Sequence, residues 1–146
     1  MLKKAIHYGN IFFSMSLSRK RLLGKGILYS LQLEYYIRRN QGEQLKKYQN
    51  PTTETILQSA DQRQRVAEVA KVVHIIDKRM PWNPMCLNLS LTARRLLRMQ
   101  GIETTLHIGF KPREIGKDYK GHAWLTIEEQ LITGWLADLA VYRELK

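Results

Sequence analysis

Apolar residues along this chain recur first at helical spacing and then at strand spacing. Between residues 59 and 79 they fall three or four positions apart, at Val66, Val69, Ala70, Val73 and Ile76. Ser59 precedes Gln62 by three residues, which is a capping pattern for a helix start, and Pro81 and Pro84 prevent the helix from continuing. These positions predict a helix over 59–79.

A second helical pattern runs from about Cys86 to Gln100, and Gly101 supplies a residue suited to ending it. Helical geometry places five of its residues on one face: Cys86, Leu89, Ser90, Ala93 and Leu97. The cysteine therefore lies in the first turn of the predicted helix.

After Gly101 the apolar residues alternate with polar ones, which is typical of strands. The pattern predicts three consecutive strands, over 104–110, 122–127 and 130–133. Glu128-Glu129 is the predicted hairpin turn between the last two, and residues 135–145 fit either a short helix or a further strand. Helices followed by a small antiparallel sheet are typical of the α+β class, which we expect here.

The first third of the chain differs from the rest. Residues 1–48 are predicted to be mostly helical, with two apolar stripes separated by a break at Gly24 and Gly26. A turn or linker at 50–53 follows. We therefore divide the chain, which has room for one domain with a real core, into two parts. Residues 1–50 form a basic helical segment that packs on or docks beside a core of residues 51–146.

The net charge and the cysteine content limit the classes of function that the sequence supports. The net charge is +11, of which residues 1–50 carry +8. This asymmetry favours an anionic partner (an acidic peptide, a membrane surface or a nucleic acid), and a solvated face explains it equally well. No nucleic-acid-binding motif is present, and the apolar run 26–37 is too short to span a bilayer, although it could lie on one. No targeting signal is recognisable, and one cysteine fits a reducing cytoplasm, so we expect a cytoplasmic protein.

Cys86 is the single cysteine, which excludes an internal disulfide and a zinc site built from several cysteines. A lone cysteine is ordinarily a small buried hydrophobic residue. At a helix start, however, the backbone amides and the helix dipole stabilise a thiolate and lower the pKa of a thiol. Cys86 is therefore a candidate nucleophile.

His122 is the candidate base for this thiol. Strand geometry places His122, Trp124 and Thr126 on one face, where an imidazole and an indole would line a partly dry site. The other histidines (His7, His74 and His107) are better explained as ordinary surface or core residues.

A third group should orient the imidazole, and the returning strand is where it would come from. If Glu128-Glu129 is the turn, position 122 faces roughly position 135. We favour Asp138, which follows this strand, over Asp118 in the preceding loop. Thr133, the backbone that follows it, or a water remain alternatives.

Several blocks of the sequence together resemble a known family. They are Pro81-Trp82-Asn83-Pro84-Met85-Cys86-Leu87, Ala93-Arg94-Arg95-Leu96-Leu97, Gly101-Ile102, Leu106-His107-Ile108-Gly109 and Gly121-His122-Ala123-Trp124-Leu125. In this order and spacing they resemble the lasso-peptide B proteins, the leader peptidases of lasso-peptide biosynthesis, which have a transglutaminase-like, papain-related core. The resemblance covers about residues 60–143.

The resemblance implies that Cys86 is the nucleophile, that His122 is the general base and that an aspartate follows the histidine strand. The expected region contains no acid before Asp138. It also implies that the enzyme removes the leader of a precursor peptide without metal or cofactor. The amide of Cys86 is the expected oxyanion donor, and Asn83 is a second candidate.

The implied partners are the precursor peptide, a separate leader-recognition protein and an ATP-using lasso cyclase. Residues 1–50 or the loop 111–120 would then be the docking surface. Two other functions stay open on the sequence. One is a transglutaminase-like acyl transferase, and the other is a non-catalytic basic module that binds nucleic acid or an anionic membrane.

Overall fold

The structure is a computed structural model, and it describes residues 15–39, 55–111, 121–136, 140 and 142–144. Within these ranges the chain forms three helices: α1 (Leu17–Arg38), α2 (Ala60–Arg79) and α3 (Cys86–Arg98). They are followed by four antiparallel strands: β1 (Thr105–Phe110), β2 (Gly121–Ile127), β3 (Gln130–Thr133) and β4 (Arg143–Glu144). The sheet order is β3-β2-β1-β4. The predicted α+β class is confirmed.

Helix α1 runs without interruption through Gly24 and Gly26, so the predicted break is wrong. A Cβ atom at Gly26 would lie 2.8 Å from Cδ1 of Ile76, which shows how closely α1 approaches α2. A glycine inside a helix costs about 1 kcal/mol relative to alanine, and close packing against a neighbouring helix offsets that cost. The predicted helical residues 1–14 and 40–48 lie outside the described part of the chain.

The ends of α2 and α3 follow the local signals in the sequence. Ser59 caps α2 through a complete capping box with Gln62, so the predicted start is confirmed. α3 ends at Arg98, two residues before the predicted end, because its last backbone bonds tighten: the Gln100 N–H donates to the carbonyl of Leu97. Gly101 then reverses the chain with φ +74°.

The hairpin between β2 and β3 turns at Glu128-Glu129, as predicted. Both residues have positive φ, 48° and 62°, which is the requirement of a two-residue type I′ turn. The pairing is irregular beyond the turn, since Thr126 pairs with Leu131 whereas Leu125 pairs with Thr133. This bulge shifts the register by one residue, so the regular pairing that aligned 122 with 135 does not hold.

One hydrophobic core joins the helices to the sheet. α3 packs on the face of β2 that carries Ala123, Leu125 and Ile127, all of them buried. α1 adds Leu23 and Leu33 to the same cluster. In the ambiguous tail, β4 pairs with β1, so the described part of the tail includes a strand. No helix among the described residues combines the length and apolar character needed to cross a bilayer.

Candidate active site

Cys86 is the first residue of α3, and it is partly exposed. The cap residue Met85 contributes no side-chain hydrogen bond, and the first helical bond runs from the amide of Leu89 to the Met85 carbonyl at 3.0 Å. The amides that precede Leu89 in the helix therefore have no partner within the helix. Such amides are oriented to stabilise negative charge at the helix start, where the thiol lies.

The approach to the helix is a tight turn. Asn83 has φ +46°, and its amide donates to the carbonyl of Met80 at 3.3 Å. Asparagine adopts this left-handed conformation more readily than most residues. The side chain of Asn83 is exposed, and its role as an oxyanion donor stays a prediction.

His122 is only 8% exposed, and its Nε2 lies 2.7 Å from the carbonyl oxygen of Gly134. A carbonyl can only accept a hydrogen bond, so Nε2 must carry the proton. In the neutral ring, Nδ1 is then the proton acceptor. The ring also stacks near Trp124, with centroids 6.0 Å apart, and its centroid lies 5.5 Å from that of Tyr142.

Among the described residues, the group that holds the His122 ring through Nε2 is a backbone carbonyl, one of the alternatives left open by the sequence. Gly134 has φ +83°, and a Cβ there would lie 2.6 Å from the carbonyl oxygen of Ala123. Only glycine tolerates this conformation and this contact, which turn the carbonyl toward the imidazole. Asp138, the favoured acid, and Asp118 lie outside the described residues, so the role of Asp138 stays a prediction.

Thr133 is an alternative for the group that orients His122, but its hydroxyl contacts a serine of α3. Its hydroxyl lies 3.1 Å from that of Ser90, which also donates to the carbonyl of Ala123 at 3.2 Å. Ser90 is one turn after Cys86, so this pair fixes α3 to both hairpin strands. The sequence placed Ser90 on the same helix face as Cys86, but it carried no signal for this bond.

Cys86 and His122 line one cavity of about 450 Å³. α2 forms one wall, the start of α3 another and the end of the hairpin a third; the remaining lining residues are Ala70, Val73, His74, Asp77, Lys78, Pro84, Leu89, Ile132, Thr133, Gly134 and Trp135. In the part of the chain that the structure describes, no hydrogen bond joins the thiol to the imidazole. Catalytic hydrogen bonds are often long without substrate, so a shared cavity is the relevant observation.

The other histidines occupy different places. His74 lies on the α2 wall of the cavity beside Asp77 and Lys78. His107 stacks on Trp124, with ring centroids 5.3 Å apart, and its Nε2 lies 2.8 Å from the hydroxyl of Thr126. These contacts give His107 a structural role in the sheet, in line with the sequence-based expectation. His7 lies outside the described residues.

Helix α3 begins at a cysteine, packs on an antiparallel sheet and shares a cavity with a histidine on a strand. Together these features define an α+β domain of the transglutaminase-like class. The sequence model of the Transglutaminase-like superfamily matches residues 27–146 of the chain, so the chain belongs to this superfamily. Its members are typically cysteine peptidases or acyl transferases. No curated protein and no solved structure matches the chain.

Proposed function

We propose that the protein is a cysteine peptidase that removes the leader from a lasso-peptide precursor. The observation that carries the peptidase chemistry is the cavity shared by Cys86 and His122, in which the bond to Gly134 leaves Nδ1 as the proton acceptor. The superfamily assignment supports thiol chemistry. The choice of precursor rests on the resemblance of the Cys86 and His122 blocks to the lasso-peptide B proteins.

In the first half of the reaction, Nδ1 of His122 takes the proton of the Cys86 thiol. The resulting thiolate attacks the carbonyl carbon of the bond that joins leader to core. The tetrahedral oxyanion then accepts hydrogen bonds from the amides at the start of α3. As the C–N bond breaks, the imidazolium returns its proton to the departing amine, and the leader remains as a thioester on Cys86.

In the second half, His122 removes a proton from a water molecule. The hydroxide attacks the thioester carbonyl, and the C–S bond breaks as the imidazolium returns its proton to the sulfur. This step frees the thiol and releases the leader as a carboxylic acid, which loses its proton to water. Every step uses only the two side chains, backbone amides and water. The freed core peptide, with a new amino terminus, is the product that a lasso cyclase would take with ATP.

The partner set follows from the same proposal. A separate small protein would capture the leader and dock on this chain in the cytoplasm. Exposed basic side chains of α1, such as Arg21 and Lys25, offer an anionic partner a complementary surface. A peripheral membrane contact through α1 is the competing use of that surface.

The test is incubation of the full chain with the precursor peptide, with and without the leader-recognition protein, followed by mass spectrometry. Cleavage at the leader–core junction is expected for the wild type, and Cys86→Ala should abolish it. His122→Gln should reduce the rate by about 100-fold or more, as expected for loss of a general base. Cleavage that survives Cys86→Ala would exclude this mechanism.

His107→Gln is the matched control for His122→Gln, because His107 is on the neighbouring strand and does not line the cavity. It should leave cleavage within about twofold of the wild type, in keeping with a residue that touches no reacting group. The acyl-transferase alternative is separated in the same experiment. An added primary amine would produce an amide adduct of the leader fragment instead of its free acid.

A further inference from the structure

We propose that Ser30 and Glu34 of α1 are positioning residues that hold the Cys86 end of α3 in place. This inference rests on the proposed function insofar as Cys86 is the nucleophile. α1 would then be a structural part of the active site in addition to any role as a docking segment.

Ser30 contacts the chain on both sides of Cys86. Its side chain is fully buried, and its Oγ accepts a hydrogen bond from Nε1 of Trp82 at 3.1 Å. Its carbonyl oxygen accepts a hydrogen bond from Nδ2 of Asn88 at 3.0 Å. Trp82 lies in the turn before α3 and Asn88 in its first turn, so one residue of α1 fixes the segment from both ends.

Glu34 completes the attachment one turn further along α1. Its Oε2 accepts the second hydrogen bond of Asn88 Nδ2 at 2.9 Å, while its Oε1 accepts from Nε of Arg38 at the same distance. The side-chain oxygen of Asn88, Oδ1, accepts a hydrogen bond from the hydroxyl of Thr92 at 3.3 Å. The buried amide of Asn88 therefore has partners at both ends, which determines its rotamer.

A satisfied, partly buried network of this kind restrains the first turn of α3 in rotation and in translation. The reaction requires such restraint, because a displacement of about 1 Å between a nucleophile and its target can cost about 100-fold in rate. Loss of either bond to Ser30 would release the Trp82 turn or the first helical turn. The thiol would then sample geometries in which neither His122 nor the helix amides assist it.

The experiment measures the rate at which iodoacetamide alkylates Cys86 in the full-length protein, across a pH series. It needs no precursor, so failure of the peptidase proposal and failure of the positioning proposal are distinguishable. Ser30→Ala and Trp82→Phe each remove the bond between these residues, and each should slow alkylation by about three- to tenfold at neutral pH. The slower alkylation should persist across the pH series, because the thiol has lost its fixed position at the helix start.

The double variant distinguishes positioning from general destabilisation. Since both changes remove the same hydrogen bond, Ser30→Ala with Trp82→Phe should slow alkylation no more than one change alone. Leu23→Ala is the matched control, because it opens the same core from α1 without touching this network. It should lower the melting temperature and leave the alkylation profile of the folded protein unchanged. Wild-type profiles for both single variants, or equal profiles for Leu23→Ala and Ser30→Ala, would overturn the proposal.

Discussion

At the scale of single residues, the conformation of Gly134 sets the position of the carbonyl that contacts His122. Gly134→Ala would place a Cβ 2.6 Å from one backbone atom and 2.8 Å from another, at a φ that side chains disfavour. We expect a loss of roughly 1–3 kcal/mol in the free energy of unfolding, together with a displaced carbonyl and slower cleavage. Chemical denaturation and cleavage assays measure the two effects.

Gly24→Ala is the control for that change. Gly24 lies in the interior of α1, and a Cβ added there would have no neighbouring atom within 4 Å, so alanine meets open space. We expect a gain of up to about 1 kcal/mol from helix propensity and unchanged cleavage. If Gly134→Ala, like Gly24→Ala, lowered neither stability nor cleavage, the conformation of Gly134 would not determine the position of its carbonyl.

The bond to Gly134 also fixes which nitrogen of His122 is protonated. We expect neutral His122 to be the Nε2–H tautomer, because a carbonyl cannot donate to Nε2. Nitrogen-15 correlation spectra of the imidazole ring distinguish the two tautomers directly. A neutral ring protonated at Nδ1 would contradict the proposed proton transfer from the thiol.

Cys86 and His122 can be chosen from the sequence as a candidate nucleophile and base, because the patterns that indicate them are local. A helix start and a strand face can both be inferred from neighbours a few positions away. The orienting carbonyl could not be inferred in this way, since it depends on a bulge between β2 and β3 and on the positive φ of Gly134. Ser30 lies 52 residues from Trp82 and 58 from Asn88, and no local pattern indicates such contacts.

At the scale of elements, α1 and α2 are joined by an ion pair whose pH dependence can be stated. Glu68 accepts two hydrogen bonds from the Arg19 guanidinium, and these hold the pKa of the Glu68 carboxyl below its ordinary value of 4.5. Lys71 lowers this pKa further, whereas burial of the carboxyl acts in the opposite direction. Because folding lowers the pKa of this carboxyl, the ion pair stabilises the folded protein at pH values above 4.5. The contribution is lost as the pH falls through the folded value.

We therefore expect Glu68→Gln to lower the melting temperature at neutral pH, and the difference from wild type to shrink as the solution is acidified below pH 4.5. Both side chains are about a quarter to a third exposed, so solvent screens the pair and the effect should be small. Thermal unfolding monitored by circular dichroism over a pH series measures it. A difference that grows on acidification would reverse the assigned sign.

The elements themselves were predicted well where their determinants are local. The capping box at Ser59 and the turn at Glu128-Glu129 are short-range features, and both were located correctly. The break assigned to Gly24 and Gly26 was wrong because tertiary packing outweighs local propensity. At Gly26 the missing side chain makes room for Ile76, a contact 50 residues away in sequence.

At the scale of the whole molecule, α1 belongs to the core that supports the site. Its buried residues Leu23 and Leu33 lie in the same cluster as those of α2, α3 and the sheet. Removal of residues 1–39 should therefore expose the α2 and α3 surfaces that face α1 and abolish cooperative thermal unfolding. A truncated chain that melts cooperatively at the wild-type temperature would contradict this expectation.

Because truncation would disturb the core, the docking of a leader-recognition protein on α1 is better tested by charge reversal. Lys25 is exposed, so Lys25→Glu changes the surface of α1 without opening the core. If α1 is the docking surface, the variant should bind the partner about three- to tenfold more weakly at low salt and with a reduced salt dependence, while its melting temperature stays near wild type. Arg63→Glu makes the same change of charge at the start of α2, where the exposed Arg63 lies beside Glu128 of the hairpin turn, and it should leave affinity unaltered. Equal affinities for the two variants and the wild type, measured by calorimetry, would place the docking surface elsewhere on the molecule.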